Sequence, residues 1–202
     1  MKTSCSLCLI FAISAVTAPA QLAAQDLAEA QDTVEVAAGQ AEGATGRIAI
    51  NLAAGSGNQQ AGAAALAIGE ISLAGITLDQ FGGSGDVGDR STQIIIGASA
   101  MSNLNGLASV NISAGANNQS ANLFGLAIGN GGALTDLALS QSRAPTGPRA
   151  AAELDLSPRN DTIDIAGDAF LGGSGLLQVN VIGGERNSSA NTFALSISGN
   201  SN

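Results

Sequence analysis

The chain has 202 residues, 27 of them glycine, with a formal net charge of −9 and no histidine, tryptophan or tyrosine. That acidic balance excludes binding to nucleic acid or to an anionic membrane, both of which are held by a basic face. Large side chains are few, and burial returns only about 25 cal/mol per Å² of apolar surface, so flat, closely spaced layers of small and β-branched residues are expected instead of an ordinary core.

The N-terminus comes first. Lys2 precedes a short apolar run, Leu7 to Val16, and Ala18-Pro19-Ala20 has the small-x-small pattern of a signal-peptidase site. Residues 1–20 are therefore taken as an export signal, with Ala18 and Ala20 as its cleavage determinants. The run is shorter than the ~20 residues of a bilayer span, so no stable membrane insertion is expected. Cys5, Cys8 and Lys2 leave with the signal, and the mature chain carries six arginines against sixteen acids, a net charge of −10. An exported chain without cysteine must be stabilised by backbone pairing and packing, or by polymerisation. Residues 21–31 form a polar leader.

Next comes a repeat. Residues 46–69, 106–129 and 175–198 align without gaps at offsets of sixty and sixty-nine. Seven positions are identical in all three: a first glycine (Gly46, Gly106, Gly175), an asparagine (Asn51, Asn111, Asn180), a second glycine (Gly55, Gly115, Gly184), a second asparagine (Asn58, Asn118, Asn187), an alanine (Ala61, Ala121, Ala190), a leucine (Leu66, Leu126, Leu195) and an isoleucine (Ile68, Ile128, Ile197). Each copy extends upstream, Asp32 to Val36 matching Asp161 to Ile165 and, more loosely, Ser91 to Ile96. The units are thus 32–69, 91–129 and 161–198, about 38 residues each. Residues 70–90 and 130–160 are expected to be flexible linkers, the second holding all three mature prolines (Pro145, Pro148, Pro158), and 199–202 a tail. Some strand is expected to reach into both linkers, because Ile76-Thr77-Leu78 resembles Leu137-Ala138-Leu139.

Within a unit the period is two: Ile48, Ile50 and Leu52 share one face, and Arg47, Ala49 and Asn51 the other. That pattern predicts strand, and Gly55-Ser56-Gly57-Asn58 predicts a bend, since glycine and asparagine tolerate positive φ. Each unit is expected to be a leading strand, a turn, and two strands meeting at that bend, as a stacked arch or a hairpin. Equal units stack, giving an all-β, repeat-built β-solenoid or cross-β stack. In-register strands ~4.7 Å apart would align Asn51, Asn111 and Asn180 in one column and Asn58, Asn118 and Asn187 in another, where amides bond along the column. The third unit runs to Ser198 with no evident cap, and an uncapped edge is a template for another chain.

The string from Val110 to Asn122, VNISAGANNQSAN, with its counterparts IAINLAAGSGNQQ and VNVIGGERNSSAN, resembles the repeat of Fap-type functional amyloid subunits, exported fibre proteins of bacterial biofilms. The resemblance implies self-assembly into an extracellular homopolymer, related fibre subunits and an outer-membrane export pore as partners, and a short-linker subunit of the nucleating, minor kind. Among the departures between copies, Gly62 stands where the others have Asn122 and Asn191, and Ser188 where the others have Gln59 and Gln119.

Other chemistry finds little support. Gly83 to Gly88 satisfies GxGxxG but lacks the following helix and acidic residue of a dinucleotide site, so it reads as a turn. Asp79, Asp86 and Asp89 read as a solvated acidic loop before they read as a calcium site. With no histidine or mature cysteine, no nucleophile–base pair is available, and neither enzyme activity nor a cofactor is expected. A monomeric β-solenoid adhesin is the alternative to a fibre subunit.

Overall fold

The computed structural model describes residues 31–83, 90–144 and 159–199. The cleavage residues Ala18 and Ala20 lie outside them, as do Asp86, Asp89 and most of the Gly83–Gly88 motif.

Among the described residues nine strands follow one another: β1 (Gln31–Val36), β2 (Thr45–Ala54), β3 (Gln59–Gly82), β4 (Ser91–Ile96), β5 (Asn105–Ala114), β6 (Gln119–Arg143), β7 (Asp161–Ile165), β8 (Ser174–Ile182) and β9 (Ser188–Ser198). They form three parallel sheets, ordered β1-β4-β7, β2-β5-β8 and β3-β6-β9. Each unit is thus one layer, and each sheet takes one strand from every layer. The fold is an all-β repeat stack.

Equal units pair by identity. Asn51 faces Asn111 and Asn111 faces Asn180; Leu66, Leu126 and Leu195 align, as do Ile68, Ile128 and Ile197. The two strands flanking each bend belong to different sheets, so the unit is a stacked arch and not a hairpin. Even the turns join the ladder: the Gly39 amide donates to the Ala98 carbonyl at 2.9 Å, and Asn103 to Leu171 at 2.7 Å.

Two interiors of different character result from the alternation. Between the first and second sheets, Val34, Ile94, Ile96, Val110 and Ile112 are buried together with Met101 and Leu104. The opposite face of the second sheet carries Asn51, Asn111 and Asn180 toward the third sheet, where the Asn111 amide reaches the Ala61 carbonyl at 2.9 Å. Strand β5 is covered on both faces over Ala108–Ala114.

Pairing also runs past the repeat units. After an arch at Gly69–Ile71, residues 71–82 pair in register with 132–143. The second layer has one extra residue in this arch, which shifts the offset from sixty to sixty-one. This arm folds back on its own strand, where the Gln119 amide donates to the Ser142 carbonyl at 2.8 Å, and it also ties the layers together, the Ser72 hydroxyl of layer one donating to the Ile128 carbonyl of layer two at 2.7 Å. The linkers therefore begin later than the repeat boundaries suggest, because the resemblance of Ile76–Leu78 to Leu137–Leu139 marks a further paired segment. Among the described residues the third layer has no arm. Its face there is correspondingly more polar, with Thr192 and Ser196 in register with Leu123 and Ala127.

The identical glycines follow from the layer spacing. Gly55, Gly115 and Gly184 all have positive φ, and a Cβ on Gly115 would sit 2.0 Å from the Gly184 carbonyl oxygen. Gly115→Ala should therefore lose at least about 3 kcal/mol of stability in urea unfolding of the soluble chain. Gly43→Ala, also at positive φ but with nothing within 4 Å of the added atom, should lose only about 1 kcal/mol.

Candidate functional site

The features that distinguish this stack are its amide columns and its two ends. The first column is a side-chain ladder. Asn111 Nδ2 donates to Asn51 Oδ1 at 2.9 Å, and Asn180 Nδ2 to Asn111 Oδ1 at 2.9 Å. A second row from the third sheet interleaves with it: Asn122 Nδ2 reaches Asn111 Oδ1 at 3.1 Å, Asn180 Nδ2 reaches Asn122 Oδ1 at 3.1 Å, and Asn191 Nδ2 reaches both Asn122 Oδ1 and Asn180 Oδ1. Asn111 and Asn122 are fully buried. Buried amides are costly unless bonded; here each donor finds carbonyls in its own layer or the one below. Repetition of Asn51, Asn111 and Asn180 signals the first row in the sequence. The second is signalled only by Asn122 and Asn191, because Gly62 interrupts it.

The Asn58, Asn118 and Asn187 column is built differently from an amide-to-amide ladder. Asn58 Nδ2 donates to the Ala54 carbonyl in its own bend and to the Gly115 carbonyl in the next layer. Its Oδ1 accepts the Asn118 backbone amide at 3.0 Å, and Asn118 Oδ1 accepts that of Asn187 at 2.9 Å. The side chains lie in the bend, where peptide groups turned out of the sheets are nearer than the neighbouring amide. Asn58 and Asn118 thereby staple their bends to the bend above.

The Leu66, Leu126, Leu195 and Ile68, Ile128, Ile197 columns stack in register but do not line a core. They lie on the face of the third sheet beyond the reach of the second, and Leu66 and Ile68 are 63% and 70% exposed. Phe124 and Phe193 share this face as stacked rings 5.6 Å apart.

One charged cluster gathers beside the bend. Arg90 forms a two-pronged pair with Asp32, a carboxylate buried against the Gly55 column, and this partner raises the arginine above its ordinary range. Arg159 stands at the matching place in the third layer and pairs with Asp161 at 2.7 Å, while Thr92 donates to Asp161 from the layer below. The equivalence of Arg90 and Arg159, sixty-nine residues apart, is visible in the sequence once the upstream strands are aligned. Asp79 lies exposed on the β3 arm. Among the described residues there is no group of three or more histidine, cysteine, aspartate or glutamate side chains suited to a metal ion, and no helix long and apolar enough to cross a membrane.

The two ends are not alike. Among the described residues, layer one turns out unpaired edges of β1, β2 and β3, and layer three those of β7, β8 and β9. At the third layer the apolar columns are bare: Ile163 is 48% exposed, whereas Ile94 beneath it is fully buried. A family model for the functional amyloid protein FapB/FapC family matches residues 14–198. The chain belongs to this family. No solved structure matches the chain. As a FapB/FapC-family protein it is a functional amyloid protein, and the family is one of structural proteins rather than enzymes.

Asn111→Asp tests the ladder. The carboxylate keeps the bonds accepted from Asn122 and Asn180 but loses the donor toward Asn51 and Ala61. Burial disfavours the charged form, so the new carboxyl titrates above the ordinary ~3.9 in the folded state. Its penalty is absent below the unfolded value, grows as pH rises to the folded value, and is constant above it. Urea unfolding should show a loss of about 3 kcal/mol or more at pH 7 that shrinks in acid.

Proposed function

We propose that the chain is an exported fibre subunit whose three-layer stack adds end to end to further copies, forming extracellular amyloid in a bacterial biofilm matrix. The observation that carries this reading is that all three sheets run from layer one to layer three with parallel strands and, among the described residues, are open at both ends. Such an interface joins the top of one molecule to the bottom of the next, and a heterologous contact of this kind extends into a filament instead of closing. The amide ladder has the matching polarity. In the Asn51, Asn111 and Asn180 row the donors point toward layer one, where Asn51 Nδ2 has no partner among the described residues, while at the other end Asn180 Oδ1 accepts only from its own layer, from Ser189 Oγ and Asn191 Nδ2.

Nucleation is the role we assign within the fibre. Three layers folded in one chain already present a template edge that separate single-layer units would have to assemble. Family membership and the signal-like N-terminus support passage through an outer-membrane pore and co-assembly with related subunits. A monomeric adhesin on the same scaffold would keep its edges unpaired, and seeding separates the two readings.

The edge itself supplies the test. The Gly199 amide donates downward to Gly129, and that of Asn187 to Asn118. Alternation therefore turns the amide of Ala194 toward the open side, where proline removes no bond within the molecule. Ala194→Pro should fold normally and add to fibre ends. Mixed at one part in ten with the unaltered chain, it should slow seeded elongation at least about tenfold by capping growing ends. Elongation at the unaltered rate, or a chain that never seeds, contradicts the proposal.

A further inference from the structure

The first layer departs from the other two at three neighbouring positions. Where they carry Leu107 and Leu176, Asn122 and Asn191, and Phe124 and Phe193, it carries Arg47, Gly62 and Ala64. These three changes fall in one place. Arg47 Nη2 lies 3.6 Å from where a Cβ on Gly62 would sit, so the guanidinium occupies the volume that an asparagine side chain fills in the layers above. Arg47 Nη1 donates to the Ile48 carbonyl at 2.6 Å, while Nη2 has no partner among the described residues.

The other end of the molecule offers a complement. Asn191 spends its Nδ2 on Asn122, Asn180 and the Val179 carbonyl, and its Oδ1 accepts no bond from any described residue. One face of Phe193 is stacked on Phe124; the other is open. An asparagine at position 62 of an added copy would continue the second row of amides onto Asn191, and glycine cannot.

We propose that Arg47 is the junction residue of the fibre: its guanidinium donates to Asn191 Oδ1 of the preceding molecule in place of the amide missing at Gly62, with its stem over Phe193. This rests on the end-to-end reading above and adds the residue that sets the polarity of addition. A charge-assisted bond is stronger than the amide bond it replaces. Two first layers meeting would oppose guanidinium to guanidinium, and two third layers would oppose acceptor to acceptor. Both wrong pairings are penalised, and the right one joins donor to acceptor.

The critical concentration for assembly of the full chain measures the junction. Arg47→Leu, which installs the residue of the other layers, should raise it about tenfold. Asn191→Ala should do the same, and the two together should exceed either by less than about twofold, since they remove one interaction. Adding Gly62→Asn to Arg47→Leu should restore the original value to within about twofold by continuing the amide row. An unchanged critical concentration for Arg47→Leu, multiplicative effects of the pair, or no rescue by Gly62→Asn overturns the inference while leaving end-to-end growth intact. Failure of the unaltered chain to assemble overturns the end-to-end reading itself. Should Arg47→Leu lose the monomer fold in urea unfolding, Arg47→Lys serves instead. It keeps the charge and loses the planar fork, so an increase of about threefold is expected and no increase overturns the inference.

Discussion

The parallel, in-register pairing of like residues is the constraint on which the rest depends. Strands about 4.8 Å apart place every side chain over its counterpart, so each column must hold residues that tolerate their own kind. Apolar columns do so by packing, as Val34, Ile94 and Ile163 do. Asparagine does so because one amide both donates and accepts, as Asn51, Asn111 and Asn180 do. Glycine does so where the layers approach too closely for a Cβ. Charge satisfies the constraint poorly, because like charges stacked in register repel, and the aspartates beside the bend, Asp32 and Asp161, have arginine or threonine neighbours.

Seen this way, the scarcity of large side chains is a consequence of the architecture. Stability comes from backbone pairing repeated through three sheets and from a narrow apolar layer around Ile94, Val110 and Ile112. A buried polar layer of this size would be destabilising in an ordinary globule, since each unbonded amide costs on the order of 1–3 kcal/mol. Here the ladder supplies the partners, and it leaves donors at one end and acceptors at the other. The same interaction that holds the monomer together is therefore the one it offers to the next.

Much of this was legible in the sequence. The offsets of sixty and sixty-nine fixed the layer register, and the period of two assigned strands and faces. The repeated glycines and asparagines marked the bends and one ladder. The arch was not decided by pattern, because a hairpin and a stacked arch need the same turn residues; the parallel sheets decide it. Segments 71–82 and 132–143 were harder to see, since an extra residue after Gly129 breaks the constant offset. Identity between copies also misled about place: Leu66 and Ile68 repeat as faithfully as core residues yet face outward, because a column is selected for self-compatibility whichever way it points. The interleaving of Asn122 and Asn191 with the Asn111 row depends on how two sheets pack, which spacing along one strand does not encode.

Under the end-to-end proposal, one molecule contributes three successive layers to the fibre, stacked within the chain before assembly. Helical reconstruction of fibres by electron cryomicroscopy measures this as the axial rise per molecule. Three layers per molecule give a rise of about 14 Å, three strand spacings, with parallel strands and the asparagine rows continuous across junctions. A rise of about 4.8 Å, with each molecule lying flat as a single layer and its repeats side by side, would contradict it.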